Sequence, residues 1–184
     1  MIFETKERYL KDNTKVILRA PRVEDARLLL DFMIKTAAQT EFLLSSSEDF
    51  QNTSVESEEQ WIKGHLESDD CNILVFKDDE LIGNCGLTFM RQLKARHRGV
   101  IGITVEEEYW NKGVGSILFE EMIEIAKKRP LTTQIELGVV SVNTRAQHLY
   151  KKFGFKETGI IPRAVKIKDG TYLDEIMMTK FLYE

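Results

Sequence analysis

The chain has 184 residues, 42% of them hydrophobic and 30% charged, a balance that predicts one globular domain over 1–184 and excludes disorder, collagen and coiled coil. Its 26 basic and 30 acidic residues leave a net charge of -4, so no general positive field is available to hold a nucleic acid. Cys71 and Cys85 form no spaced metal or disulfide framework, and no apolar stretch has signal-peptide or membrane-spanning length; a cytoplasmic chain with no metal and no membrane partner is expected.

Lys15 to Arg19 (KVILR) is a short β-branched run that predicts a strand, and Pro21 followed by VEDARLLLDFMIKTA predicts a helix opened by proline and early acids. Residues 41–60 carry six acids and no base and read as a loop into a second helix, capped near Ser57 and running through Trp61, Ile62 and Leu66. Asn72 to Lys77 and Leu81 to Met90 predict an antiparallel hairpin, with Gly83 and Gly86 as sites for bulges. Val100 to Val105 adds a third strand to this meander, reached through the basic loop RQLKARHRG.

The period then changes. Val114, Ile117, Leu118, Met122 and Ile125 recur at helical spacing, ending at Lys127, Lys128, Arg129 and the stop Pro130. Thr133 to Val140 predicts a strand, Asn143 to Phe153 a helix, Phe155 to Lys166 a mostly extended segment and Tyr172 to Leu182 a last strand. The order β-α-α-β-β-β-α-β-α-β-β predicts an α/β (α+β) fold, with a mixed sheet between helices on both faces.

Two segments carry chemistry. Asn111, Lys112, Gly113, Val114, Gly115 and Ser116 lie between a strand and the strongest helix. The first helical turn leaves amides without intrahelical partners and adds partial positive charge, so backbone alone can bind phosphate where glycine permits close approach. Neither the dinucleotide fingerprint nor the Walker pattern is matched. The second segment is VVSVNTRAQHLYKKFGF, where Asn143 opens a helix, Tyr150 follows two turns later and Gly154 ends it. Taken singly, Asn143 is a cap and Tyr150 a core aromatic.

Together the two segments resemble the GCN5-related N-acetyltransferase (GNAT) family. Trp110 to Gly115 is similar to the family loop Q/R-x-x-G-x-G/A, with Trp110 in place of the first Gln or Arg. Asn143, Ala146, Leu149, Tyr150, Gly154 and Phe155 match N-x-x-A-x-x-L-Y-x-x-x-G-F. The resemblance implies a mostly antiparallel sheet of about six or seven strands, and acetyl-CoA as cosubstrate. It implies that Ile103, Thr104 and Val105 contact pantetheine as a pseudo-strand, that amides of Asn111, Lys112, Gly113, Val114, Gly115 and Ser116 hold the pyrophosphate, and that Asn143 anchors the arm.

The reaction so implied is direct transfer of the acetyl group to a primary amine in a ternary complex. A backbone N–H near Thr104 or Val105 meets the oxyanion and Tyr150 is the general acid, a phenol with a reference pKa of about 10. In the branch acting on ribosomal-protein amino termini a Glu stands five residues before the equivalent of Asn143; here that residue is Gly138. His97, Glu136 or a water chain is left as the proton route, His97 having a suitable reference pKa of about 6.5. His97 also reads as a solvated loop residue, His65 and His148 as inert on helix surfaces, and Cys85 as a buried structural thiol.

The acceptor is expected to be a small-molecule or peptide amine, entering past Glu41 to Glu59 if those acids attract cations, or past Arg91 to Arg98 if it is anionic. A homodimer formed through the sheet's C-terminal edge or the helices, with Phe181 and Tyr183 contributing, is a further implication of the resemblance. The other readings are a noncatalytic acyl-CoA-binding or sensing module, and a nucleotide-binding protein in which the Asn143 to Phe155 segment has no role.

Overall fold

The computed structural model describes residues 3–183; Met1, Ile2 and Glu184, the ends of the expected domain, lie outside the described residues. Eight strands form one sheet, β1 (Lys6–Tyr9), β2 (Lys15–Arg19), β3 (Cys71–Lys77), β4 (Glu80–Phe89), β5 (Arg98–Val105), β6 (Gln134–Val140), β7 (Lys156–Lys166) and β8 (Tyr172–Phe181). Their spatial order is β1-β2-β3-β4-β5-β6-β8-β7. Every neighbouring pair is antiparallel except β5 with β6.

The helices are α1 (Ala26–Ala38), α2 (Ser47–Gln51), α3 (Val55–Leu66), α4 (Val114–Lys128) and α5 (Thr144–Lys152). They cover both faces, which explains the unbroken apolar run of β3. Ile73 and Val75 point into a core shared with Leu118, Phe119 and Met122 of α4, whereas Leu74 and Phe76 pack with Leu29 and Phe32 of α1. Phe119 is fully buried and its ring meets those of Tyr150, Phe153 and Phe155 at centroid distances of 5.2, 5.6 and 5.7 Å, which fixes α5 against α4.

Two elements were not visible in the residue pattern. Strand β1, KERY, has no apolar alternation; it is held by pairing with β2 and by ion pairs of Lys6 and Arg8 with the buried Glu121 of α4. Helix α2 is a single capped turn inside the expected loop, with Ser46 accepting from the Asp49 amide. The cap of α3 is Ser54 rather than Ser57, because the extended backbone of Ser54 lets its hydroxyl accept from the Ser57 amide. Helix α1 begins at Ala26, after a short turn in which Asp25 accepts from the Arg22 amide and pairs with Arg19.

The register between β3 and β4 slips beside Gly83, leaving Ile82 as an extra residue, whereas Gly86 keeps regular pairing with Asn72 and Gly102. Phe181 and Tyr183 are exposed, but β8 lies inside the sheet and the C-terminal edge strand is β7. No helix among the described residues is long and apolar enough to cross a membrane.

Candidate active site

The geometry of the site begins with a short pairing. Strands β5 and β6 are joined only at Arg98 with Gln134, Gly99 with Ile135 and Val100 with Glu136. Beyond Val100 the strands diverge. On its other side β5 stays paired with β4 as far as Val105, and the bonds from Met90 to Arg98 and from Glu106 to Ile82 set the alternation. Even-numbered residues of β5 bond to β4; the N–H and C=O of Ile101, Ile103 and Val105 are therefore directed into the opening. By the same parity, set by Leu182 on Thr133 and Ser141 on Asp174, the peptide groups of Gly138 face it from β6.

The opening widens into a cavity of about 870 Å³. At one end stands the N-terminus of α4. Asn111 and Gly113 both have positive φ, 62° and 106°, which turns the chain so that the first-turn amides of α4 face outward. Gly115 allows close approach of α5: a Cβ there would stand 2.9 Å from Leu149 Cδ2. Lys11, from the turn between β1 and β2, reaches this loop, its amide donating to the Lys112 carbonyl and its Nζ to the Asn111 carbonyl at 3.2 Å.

Trp110 has an identifiable job. Its Nε1 donates to the Val105 carbonyl at 2.7 Å, bracing the loop against the end of β5, and the Arg145 guanidinium lies 3.4 Å from its ring centroid. The position that carries a polar side chain in the family loop is thus a strut here, while Arg145 and Lys11 bring cations to the same end of the cavity.

Of the residues expected at the site, Ile103, Thr104, Val105, Asn111, Gly113, Val114, Gly115, Ser116, Asn143 and Tyr150 line this cavity. Lys112 does not; its ammonium lies over the Tyr109 ring. Asn143 caps α5, its Oδ1 accepting from the Ala146 amide. Tyr150 is 7% exposed, and burial, with the nearby Cys85, raises its pKa well above the ordinary phenol value against a small opposing effect of Arg145.

His97 lies outside the lining, at the closed end of the strand pair, where its carbonyl accepts from the Thr133 and Gln134 amides. Glu136 is also outside it, held by Arg98 through two hydrogen bonds of 2.6 Å. Cys85 is fully buried and burial pushes its thiol up; Cys71 is pushed up to about 11 by the same cause. Burial of this kind disfavours the thiolate that a nucleophile needs.

The opposite half of the cavity was hidden in the sequence. Thr40, Phe42, Leu43 and Leu44 form one wall, and Trp61 and His65 of α3, with ring centroids 3.9 Å apart, form another. His148 also reaches the lining, so both histidines expected to be inert on helix surfaces border the cavity. The acids between Glu41 and Glu59 and the bases between Arg91 and Arg98 are absent from it. On the floor, the Oδ1 atoms of Asn72 and Asn84 are buried without a hydrogen-bond partner. Glu175 of β8 closes the far side.

Against known proteins, the sequence model of the Acetyltransferase (GNAT) family matches residues 32–155, which span the splayed strands, the α4 loop and α5. The chain belongs to the GNAT family. Its fold is similar to that of the acetyltransferase of the GNAT family from Streptococcus pneumoniae, with a TM-score of 0.86 and 29% identity over 90% of this chain and 99% of that one. The L-amino acid N-acetyltransferase AaaT of Escherichia coli K12 is 30% identical over 103 residues, 56% of this chain and 63% of the relative. A putative ribosomal protein bS18-alanine N-acetyltransferase of Bacillus subtilis is 31% identical over 88 residues, 48% and 55% of the two chains. This GNAT chain thus matches these relatives over less than two thirds of their length.

Proposed function

We propose that this GNAT protein is an acetyl-CoA-dependent N-acetyltransferase acting on a primary amine of a small molecule or peptide, by direct attack in a ternary complex. The observation that carries the reading is the splay of β5 from β6, which leads from the amide-rich start of α4 to the buried hydroxyl-bearing ring of Tyr150. The residues present fit the cosubstrate. Amides of the loop from Asn111 to Ser116 suit a pyrophosphate, Lys11 and Arg145 add positive charge beside it, and the inward peptide groups of Ile103 suit an amide-bearing arm. Asn143 stands at the mouth with donor and acceptor on one side chain.

When bound, the thioester supplies an activated acetyl group. The chain's own residues do the rest: an inward N–H of Ile103 or Val105 donates to the developing oxyanion, and Tyr150, kept protonated by burial, holds the proton needed by the departing sulfur. The acceptor half is walled by Phe42, Leu43, Leu44 and Trp61 above two unpartnered amide carbonyls. This favours an amine that carries an apolar group and offers N–H donors, and argues against a polycation. L-amino acids and the alanine of ribosomal protein bS18, the acceptors in the names of the two relatives, have that form. The two free, buried cysteines suit a cytoplasmic setting.

Thermal unfolding with acetyl-CoA, CoA, ATP and NAD tests the reading without knowledge of the acceptor. A ligand at 100 times its Kd stabilises by about 2.7 kcal/mol. A shift confined to the CoA compounds is expected. Absence of a shift at millimolar CoA and acetyl-CoA would overturn the reading, and a CoA shift without release of free thiol in the presence of amines would leave a binding module instead.

A further inference from the structure

An amine acceptor reaches the cavity mostly as an ammonium ion at neutral pH and cannot attack until it loses a proton. Among the described residues that line the cavity, Glu175 is the one carboxylate. It sits on β8 opposite Val140 of β6 and Ile161 of β7, both apolar. Its side chain folds over Gly138: a Cβ built at Gly138 would lie 3.2 Å from Glu175 Cγ and 2.6 Å from Cδ, with Oε1 nearer still. The missing side chain at Gly138 is what gives the Glu175 carboxylate room beside the diverging end of β6. The carboxylates of Glu136 and Asp25 are held by Arg98 and Arg19, but among the described residues no such cation holds Glu175.

We propose that Glu175 is the general base of the transfer, receiving a proton from the acceptor amine directly or through one water. This rests on the acetyltransferase reading above. The ammonium gives one proton to Glu175, which passes it to solvent. The freed nitrogen pair forms the C–N bond, the C–S bond breaks with its electrons on sulfur, and sulfur takes the Tyr150 proton. The nitrogen's second surplus proton restores Tyr150, so one amide, one thiol and one solvent proton result. Other titratable groups facing the cavity are His65 of α3, Tyr109 before α4, Arg145, His148, Tyr150 and Lys152 of α5, and Lys11 of the first turn. None of them is a carboxylate, so the loss of Glu175 leaves an acceptor ammonium without an anionic partner.

The test uses the whole chain with acetyl-CoA and a panel of the free L-amino acids and an alanine-terminated peptide, taking the acceptor that the native protein uses fastest. Glu175→Gln keeps size and shape. It is expected to lower kcat/KM at pH 7 by roughly a hundredfold or more. The deficit should shrink about tenfold per pH unit toward the amine's own pKa, where free amine becomes abundant. Calorimetry on the complex with CoA should show weaker binding of the protonated amine and unchanged binding of CoA. In a Glu175→Ala background, Gly138→Asp places a carboxyl within a bond or two of the vacated position and should recover activity at least tenfold. A Glu175→Gln protein within twofold of native activity overturns the proposal. So does a pH-independent loss that Gly138→Asp fails to repair. Native protein that binds CoA but acetylates no member of the panel removes the acetyltransferase reading itself, a result separable from a failure confined to Glu175.

Discussion

At the scale of single residues, Tyr150, the proposed general acid, illustrates how packing holds a hydroxyl in its protonated form. Its ring is fixed against Phe119 and Phe155, and its burial raises the pKa, so the hydroxyl stays a donor throughout the neutral range. Tyr150→Phe keeps the ring and removes only the proton. Steady-state kinetics should show kcat lower by roughly a hundredfold to ten-thousandfold, with CoA affinity by calorimetry unchanged within about twofold. Because the folded pKa is raised, ionisation of Tyr150 should cause no fall in the native rate below about pH 10. Asn143 and Tyr150 were legible because they share one helix and its local motif. Glu175, Lys11 and His65 were not, since each enters from a distant segment and shows its use only when the sheet is assembled.

At the scale of elements, the strand pair β5 and β6 is closed by the bond between Arg98 and Glu136. The hydrogen bonds from Arg98 lower the Glu136 pKa, burial opposes them, and Gln134 adds a further lowering contact. A carboxyl whose folded pKa is depressed contributes stability above its unfolded value, near 4.3, and loses it as pH falls through the folded value. Glu136→Gln should therefore cost about 1 kcal/mol at pH 7, a modest figure because the Arg98 side chain is 40% exposed. The Tm difference from the native protein, read by calorimetry, should narrow below about pH 4. The sequence pattern locates β5, β6 and α4 well because their periods are distinct. It cannot tell where β5 and β6 stop pairing, since apolar runs on both strands continue past Val100 and the separation is a property of what lies between them.

For the whole molecule, the N-terminal hairpin acts on a loop a hundred positions later. Lys6 and Arg8 tie β1 to Glu121, and the turn that follows delivers Lys11 to the Asn111 carbonyl. Nothing in KERYLKDN marks a ligand-binding segment, because its charges read as an ordinary solvated surface. Lys11→Ala should weaken CoA binding by about 1 kcal/mol, roughly fivefold, with the native protein losing more affinity than the variant as salt is raised. Isothermal titration at two salt concentrations checks both.

The divergence of β5 from β6 also places two strand edges in the middle of a sheet. Edges in folded proteins are normally guarded by charge, proline or bulges, since an unpaired ladder can recruit a strand from another molecule. Ile101, Ile103 and Val105 have no such guards on their own strand; the groove they border is also lined by Thr40, Phe42, Leu43 and Leu44 and by residues of α5. A lining that keeps a foreign strand from such an edge serves solubility as well as the chemistry proposed for the site. Sequence change in the Thr40 to Leu44 segment is therefore constrained twice, by the molecule the groove admits and by the strands it must turn away.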